Sequence, residues 1–236
     1  SGCWAEYVAV PAKDLYLLPA TFPQEKACQF ALNPVTAWAL LYEAQVVEND
    51  FLLLTAGNST VAKVLIQLAC ARGVKAIAAV RSLKDKEDLL ALGAEAVVNV
   101  SEKGWTEEVL RLTGNKGVRA ALDAVGGVTG TELLACMAAS GVVILYGLLS
   151  PDMVHFHNAA VIMKLLTIKG FGLDSWLGHA SAEVKQQMVE QLVSSLSAPS
   201  FRLDVACKFS WEDFQRAFDT IMAKPPAGKM LFWNGS

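Results

Sequence analysis

The chain holds no apolar run near the ~18 residues that a membrane-crossing helix needs. No membrane partner is therefore expected. Charge is sparse, at 18% of residues with a net charge of −3, and Lys and Arg gather into no stripe. The electrostatic footprint of a nucleic-acid partner is missing. The five cysteines, Cys3, Cys28, Cys70, Cys136 and Cys207, are scattered and form no C-x-x-C pair. That argues against a disulfide framework and fits reduced thiols in an intracellular, cytoplasmic protein, with an organelle as the other option. The opening SGCWAEYVAV lacks the charged and apolar regions of a secretory signal. Histidine is scarce. His155 and His157 stand at i, i+2 and could reach one metal from a strand, but no Cys or carboxylate cluster accompanies them. No metal is expected.

What is abundant is core. Hydrophobic residues make up 53% of 236 residues, and mean hydropathy is +0.36. This is a globular chain, long enough for one large or two modest domains. Its most informative stretch is residues 51–81, FLLLTAGNSTVAKVLIQLACARGVKAIAAVR. Phe51, Leu52, Leu53 and Leu54 form the short continuous apolar run of a strand buried on both faces. Val61, Val64, Leu65, Leu68 and Ala69 recur at helical spacing. A second apolar run ends at Arg81. Strand, turn, helix and strand are the parts of a dinucleotide-binding βαβ unit, whose turn would aim free N–H groups and a helix dipole at a pyrophosphate.

The usual turn carries G-x-G-x-x-G. Here those positions are Gly57, Ser59 and Ala62. Gly57 can make the tight turn, and alanine is tolerated at the third position. Ser59 adds a side chain where backbone approaches phosphate, although its hydroxyl could donate a hydrogen bond. An ordinary βαβ turn is the alternative. No Asp or Glu stands at the end of the second strand, where one would take a ribose 2′-hydroxyl; the residues are Arg81, Ser82, Leu83 and Lys84. A guanidinium and a hydroxyl suit a 2′-phosphate, so the sequence points to NADPH. The bland alternative is a solvated loop and helix start.

The alternation continues. Helices are expected over 83–92, 105–113, 129–139 and 157–165, and strands over 96–98, 118–125, 141–147 and 166–171. The expected fold class is α/β, a Rossmann doubly wound parallel sheet. Its turns at 57–60, 125–127, 146–149 and 171–174 should share one rim. The ends break the pattern. Residues 1–32 read as short extended pieces with Pro11, Pro19 and Pro23. Residues 181–197 read as an amphipathic helix, and 201–236 as strand, helix and strand with a break at Pro225 and Pro226.

Several segments in one order resemble the medium-chain dehydrogenase/reductase superfamily, most closely its 2-enoyl thioester reductases and then its quinone oxidoreductases. WAEYVAVPAKDLYLLP resembles the strand pair leading out of the family's GroES-like catalytic domain. ALNPVTAWALL resembles the segment that opens the cofactor domain, and AGNSTVAKVLIQLA the reductases' pyrophosphate turn. LDAVGG, LYGLLS and KGFGLDSW resemble further cofactor loops, and GKMLF the C-terminal strand. The resemblance implies a Rossmann NADP-binding domain over 33–174 and a remnant of a GroES-like catalytic domain over 1–32 and 175–236.

It further implies NADPH contacts at Asn33 and Thr36 near the nicotinamide, and at Asn58, Ser59, Thr60 and Val61 on the pyrophosphate. Arg81 and Ser82 would hold the 2′-phosphate. Tyr146, Gly147, Leu148 and Leu149, then Phe171, Gly172 and Leu173, would line the nicotinamide side. Lys229 would be a late contact. The implied activity is zinc-independent hydride transfer from NADPH to a conjugated C=C of a 2-enoyl thioester. A quinone oxidoreductase and a nucleotide-binding scaffold without catalysis are the alternatives.

Two positions depart from the family. Thr60 stands where it has glycine, which raises the expectation of a crowded turn and a backbone angle that only glycine tolerates. Gly172 stands where enoyl reductases have tryptophan. The catalytic residue is unknown, because the tyrosine expected at the thioester lies upstream of this chain; Tyr7 is not its equivalent. Poor turnover by this chain alone is therefore expected. The resemblance also implies a homodimer paired along the edge strand at 166–171.

Overall fold

The computed structural model describes residues 7–223 and 228–233. Its strands are β1 (Phe51–Leu54), β2 (Lys75–Val80), β3 (Ala96–Asn99), β4 (Val118–Asp123), β5 (Met137–Leu145) and β6 (Thr167–Gly170), followed by β7 (Val205–Phe209) and β8 (Lys229–Phe232). The helices in chain order are α1 (Gln24–Ala27), α2 (Asn33–Ala44), α3 (Thr60–Cys70), α4 (Lys86–Ala91), α5 (Trp105–Leu112), α6 (Gly127–Glu132), α7 (Asn158–Lys164), α8 (Leu173–His179), α9 (Ala182–Ser197) and α10 (Phe214–Ala223).

The first six strands form one parallel sheet in the order β3-β2-β1-β4-β5-β6. This is the doubly wound order, with its switch point between β1 and β4. The apolar runs explain why both faces are covered. Along β1, Leu52 and Leu54 enter one core with Trp38, Leu65 and Leu192, while Leu53 enters another with Ile77, Val109 and Leu133. A period of two thus divides a continuous apolar run between two layers of helices. Helices α2, α3 and α9 cover the first face; α9 brings Met188, Leu192 and Leu196 into that core. Residues 205–232 add a small parallel pair, β7 and β8, joined through α10.

Several expectations need correction. The helix expected over 129–139 ends early: α6 stops at Glu132, a 3₁₀ turn spans Leu133–Cys136, and β5 begins at Met137. The early part of β5 pairs Met137 with Val118, then the register shifts. Ser140 takes a positive φ of 57° at that irregularity, so a long-range pairing overrides a local helical pattern. The strand expected to reach residue 125 stops at Asp123.

Residues 7–32 contain no strand; they hold a 3₁₀ turn at Ala12–Asp14 and the short α1. Among the described residues the extended backbone there has no ladder partner, and Pro11, Pro19 and Pro23 carry no N–H to offer one. Residues 1–6, and the break at Pro225 and Pro226, lie outside the described residues. His155 and His157 sit in coil rather than on a strand, and His157 Nδ1 accepts from the Ala159 N–H as the N-cap of α7.

Candidate cofactor site

Because the six strands run parallel, the segments after β1, β4, β5 and β6 leave the same edge of the sheet. The floor of that rim is a buried polar knot at the switch point. Asp123, 1% exposed, accepts through Oδ1 from Thr55 Oγ1 at 2.7 Å and the Val125 N–H at 2.9 Å, and through Oδ2 from the Gly126 N–H at 3.0 Å. Thr55 Oγ1 accepts in turn from the Ala124 N–H at 2.8 Å. These bonds satisfy a buried carboxylate and fix the ends of β1 and β4 against each other.

From β1 the chain turns into α3. Gly57 is required by packing: a Cβ there would lie 2.8 Å from the Ala78 Cβ on β2. Ser59 is the N-cap of α3, and its Oγ accepts from the Ala62 N–H at 3.2 Å. The cap fixes the hydroxyl oxygen toward the helix and leaves its hydrogen free to donate. Thr60 and Val61 open the helix, where N–H groups have no intrahelical partner. Thr60 is not among the residues with positive φ, so the expectation of a glycine-only backbone is wrong. It sits at the first helical position, where any L-residue fits; only its side chain can crowd the turn.

This turn borders a cavity of about 940 Å³. Of the residues that sequence implicated, Asn33, Asn58, Ser59, Thr60, Val61 and Lys229 line it together. Arg81 and Ser82, both exposed, do not; the Ser82 Oγ instead accepts from the Lys84 N–H at 3.4 Å. Thr36 lies in the first turn of α2, outside the lining. Tyr146, Gly147, Leu148 and Leu149 follow β5, and Phe171, Gly172 and Leu173 follow β6, on the same rim but outside this cavity.

Gly147 crosses Ala124 so closely that a Cβ would meet its carbonyl oxygen at 2.5 Å. Leu148 is 95% exposed, an apolar side chain held out on the rim. Burial, and after it the charge of Asp123, pushes the Tyr146 hydroxyl well above its ordinary pKa, so the ring stays neutral. A Cβ on Gly172 would meet nothing within 4 Å, so open space lies beside the chain there.

Sequence reasoning missed the charged wall. Lys63, one turn into α3, reaches Asp88 on α4 at 2.9 Å and Asp204 before β7 at 3.1 Å. Arg202 reaches the same two carboxylates, at 2.7 Å and 3.0 Å. Gln67 holds the Arg202 backbone twice, accepting from its N–H at 2.7 Å and donating to its carbonyl at 3.0 Å. Burial would lower the Lys63 pKa, but hydrogen bonds to Asp88 and Asp204 outweigh it and raise it. Hydrogen bonds from Lys63 and then Arg202 hold Asp88 below the usual carboxylate range. Lys84 and Asp85 complete the cavity wall on that side. No local motif announces the quartet, because its members come from three separated segments.

The cavity fits a dinucleotide in the chemistry of its donors: an α-helix start, amide and hydroxyl side chains, and lysines, beside a glycine that lets two strands' ends approach. Among the described residues no group of three or more His, Cys, Asp and Glu side chains could hold a metal ion. Among those residues, too, no helix is long and apolar enough to cross a membrane.

Comparison with known proteins bears on the same segments. The family described as zinc-binding dehydrogenase matches residues 60–194. The mitochondrial enoyl-[acyl-carrier-protein] reductase of Dictyostelium discoideum is 30% identical over 222 residues, covering 92% of this chain and 61% of the relative. Its Homo sapiens counterpart is 28% identical over 233 residues, covering 94% and 61%. The chain therefore spans about three fifths of these curated relatives. Among solved structures, a putative NADPH:quinone reductase from Bacillus thuringiensis superposes with a TM-score of 0.88 at 30% identity, over 97% of this chain and 70% of that one. Escherichia coli quinone oxidoreductase complexed with NADPH gives 0.79 at 25% identity, over 92% and 67%. With its parallel sheet in doubly wound order and a family match over more than half its length, this chain belongs to the zinc-binding dehydrogenase family of the medium-chain dehydrogenase/reductase superfamily.

Proposed function

We propose that the chain is the cofactor-binding part of a zinc-independent, NADPH-dependent reductase that delivers hydride to a conjugated C=C of a 2-enoyl thioester. One observation carries the reading: Asn33, Asn58, Ser59, Thr60, Val61 and Lys229 converge on one cavity at the N-terminus of α3. The open N–H groups of Thr60 and Val61 and the helix dipole favour the pyrophosphate. The Asn58 amide, the Ser59 hydroxyl and the Lys229 ammonium add donors. Arg81 and Ser82 stand at the approach to the 2′-phosphate. Tyr146, Gly147, Leu148, Leu149, Phe171, Gly172 and Leu173, with Thr36, shape the nicotinamide side.

When bound, NADPH supplies the hydride. The chain's task is to orient it and to exclude water, for which the exposed Leu148 and Leu149 offer apolar cover. An acceptor already conjugated to a carbonyl needs no Lewis acid. The division into a cofactor unit over 33–174 and a catalytic-domain remnant over 1–32 and 175–236 belongs to this proposal, as does an intracellular setting.

So does a two-fold homodimer along β6. That strand ends the sheet with β5 as its ladder neighbour, and an open edge invites pairing. Lys169, its one charge, is turned onto α2, where it is paired with Glu43. Burial would raise the Glu43 pKa, but hydrogen bonds from Lys169 and Trp176 outweigh it and lower it. The charge that could guard the edge is thus engaged elsewhere.

The E. coli neighbour's quinone chemistry supports a second reading, a quinone acceptor. Calorimetric titration with NADPH and NADH tests the cofactor; NADPH oxidation with a crotonyl thioester against a small quinone tests the acceptor. Tight NADPH binding with only slow thioester turnover by this chain is expected. Turnover on quinones alone replaces the acceptor, and NADPH binding without either turnover leaves the scaffold reading.

A further inference from the structure

The buried knot under the rim reaches further than the strands that end there. Two peptide planes after β4 relay the Asp123 carboxylate to the segment after β5. In the first, the Val125 N–H donates to Asp123 Oδ1 at 2.9 Å, and the Ala124 carbonyl of the same plane accepts from the Leu149 N–H at 3.2 Å. In the second, the Gly126 N–H donates to Oδ2 at 3.0 Å, and the Val125 carbonyl accepts from the Ser150 N–H at 2.8 Å. The Tyr146 N–H adds a direct bond to the Asp123 carbonyl at 2.9 Å. Between these bonds Gly147 packs so tightly on Ala124 that a Cβ would lie 2.9 Å from the Ala124 Cα. A segment held at 146, 149 and 150 fixes where the exposed Leu148 and Leu149 side chains stand.

Building on the reading that Leu148 and Leu149 cover a bound nicotinamide, we infer that Asp123 is the positioning residue of that cover. It acts through the two peptide planes and touches no cofactor, since its side chain is buried beneath the rim. Its two oxygens have separate duties. Oδ1 also accepts from Thr55 Oγ1 and so ties the loop to β1. Oδ2 holds the Gly126 N–H, where φ is +74°. Glycine is free to leave that conformation, and the Oδ2 bond is what selects it. An asparagine has one acceptor oxygen in place of two. Turned to keep Thr55 and Val125, it meets the Gly126 N–H with an N–H of its own. The tie to β1 then survives, while the second plane is free to rotate and to release Ser150.

NADPH carries its own probe, because a reduced nicotinamide emits at shorter wavelength when it is shielded from water. Calorimetry reads the dissociation constant and emission reads the cover. Both are measured on the wild-type chain, on D123N, on L148A/L149A and on the three substitutions together, with urea unfolding to confirm that each is folded. Ser150→Pro removes the N–H at the far end of the second relay and repeats the test without touching the buried carboxylate. The wild type is expected to shift the emission of bound NADPH to shorter wavelength. D123N and S150P should lose most of that shift while the NADPH constant stays within about threefold, because the contacts at α3 remain. Adding D123N to L148A/L149A should change the emission no further, as expected when one residue acts through the others. A folded D123N that keeps the full shift overturns the inference. So does a loss that adds to that of L148A/L149A, or an NADPH constant weakened more than about tenfold, which would assign the carboxylate to the α3 turn. If D123N does not fold, S150P decides by the same readings. Wild-type binding with no shift overturns the cover and leaves the dinucleotide reading standing. Failure of the wild-type chain to bind NADPH defeats that reading itself.

Discussion

Replacing Lys63 with methionine should remove about 2 kcal/mol of stability. The side chain is 18% exposed, and its partners Asp88 and Asp204 are 34% and 28% exposed, so the site lies between surface and interior. Exposed pairs are worth under about 1 kcal/mol, whereas stripping one partner from a buried pair costs roughly 3–5 kcal/mol. Arg202 remains on both carboxylates after the substitution, so neither is left without a cation. Methionine keeps the apolar stem against its neighbours. For a chain of this size 1 kcal/mol shifts Tm by about 2–4 °C, so a drop of about 4–8 °C is expected.

The pH dependence has a definite sign. Asp88 has a lowered pKa in the fold, so its contribution is present above the unfolded value of about 3.9 and is lost as pH falls through the lower folded value. Lys63 has a raised pKa, so its contribution is present below about 10.4 and is lost as pH rises through the folded value. Wild type and Lys63→Met should therefore differ most between about pH 4 and 10 and converge on either side. The assay is urea unfolding followed by tryptophan fluorescence, with an unchanged m-value. A double-mutant cycle with Asp204→Asn isolates the pair. A difference below about 0.5 kcal/mol at pH 7, the scale of an ordinary surface substitution, or one that persists undiminished in acid, refutes the reasoning.

Three further outcomes are expected. Arg81→Asp reverses a charge at the approach to the 2′-phosphate and should weaken NADPH several-fold by calorimetry; equal NADPH and NADH constants in the wild type would sink the preference itself. Thr60→Gly relieves no backbone strain, because Thr60 has no positive φ; it should instead lower stability by up to about 1 kcal/mol in urea, and a stabilised variant would contradict the helix-start assignment. The Phe171 N–H donates inward to the Leu145 carbonyl, so alternation aims the Ile168 N–H outward from β6. Ile168→Pro should then dissociate the proposed dimer in light scattering while sparing the sheet; an unaffected dimer would place the interface elsewhere.

Local pattern alone was enough to write the βαβ units. The apolar run of β1, the helical spacing of α3 and the glycine stop after Leu92 each act over a few residues, and the structure keeps all of them. The turn of Gly57, Ser59 and Thr60 was legible for the same reason, since a strand, a tight turn and a capped helix are one contiguous piece of chain. Where local and distant preferences competed, the distant one won. Residues 137–139 look helical by composition, yet they extend β5, where Val118 offers Met137 a ladder partner. The charged wall was beyond reach of any local pattern. Lys63 is 25 residues from Asp88 and 141 from Asp204, and only packing of the β7 approach against α3 and α4 brings the three together. Sequence determined which ligand chemistry the α3 turn could offer; tertiary structure decided that Lys84 and Asp85, rather than Arg81, face it, because the direction in which a chain leaves a strand depends on what packs against it.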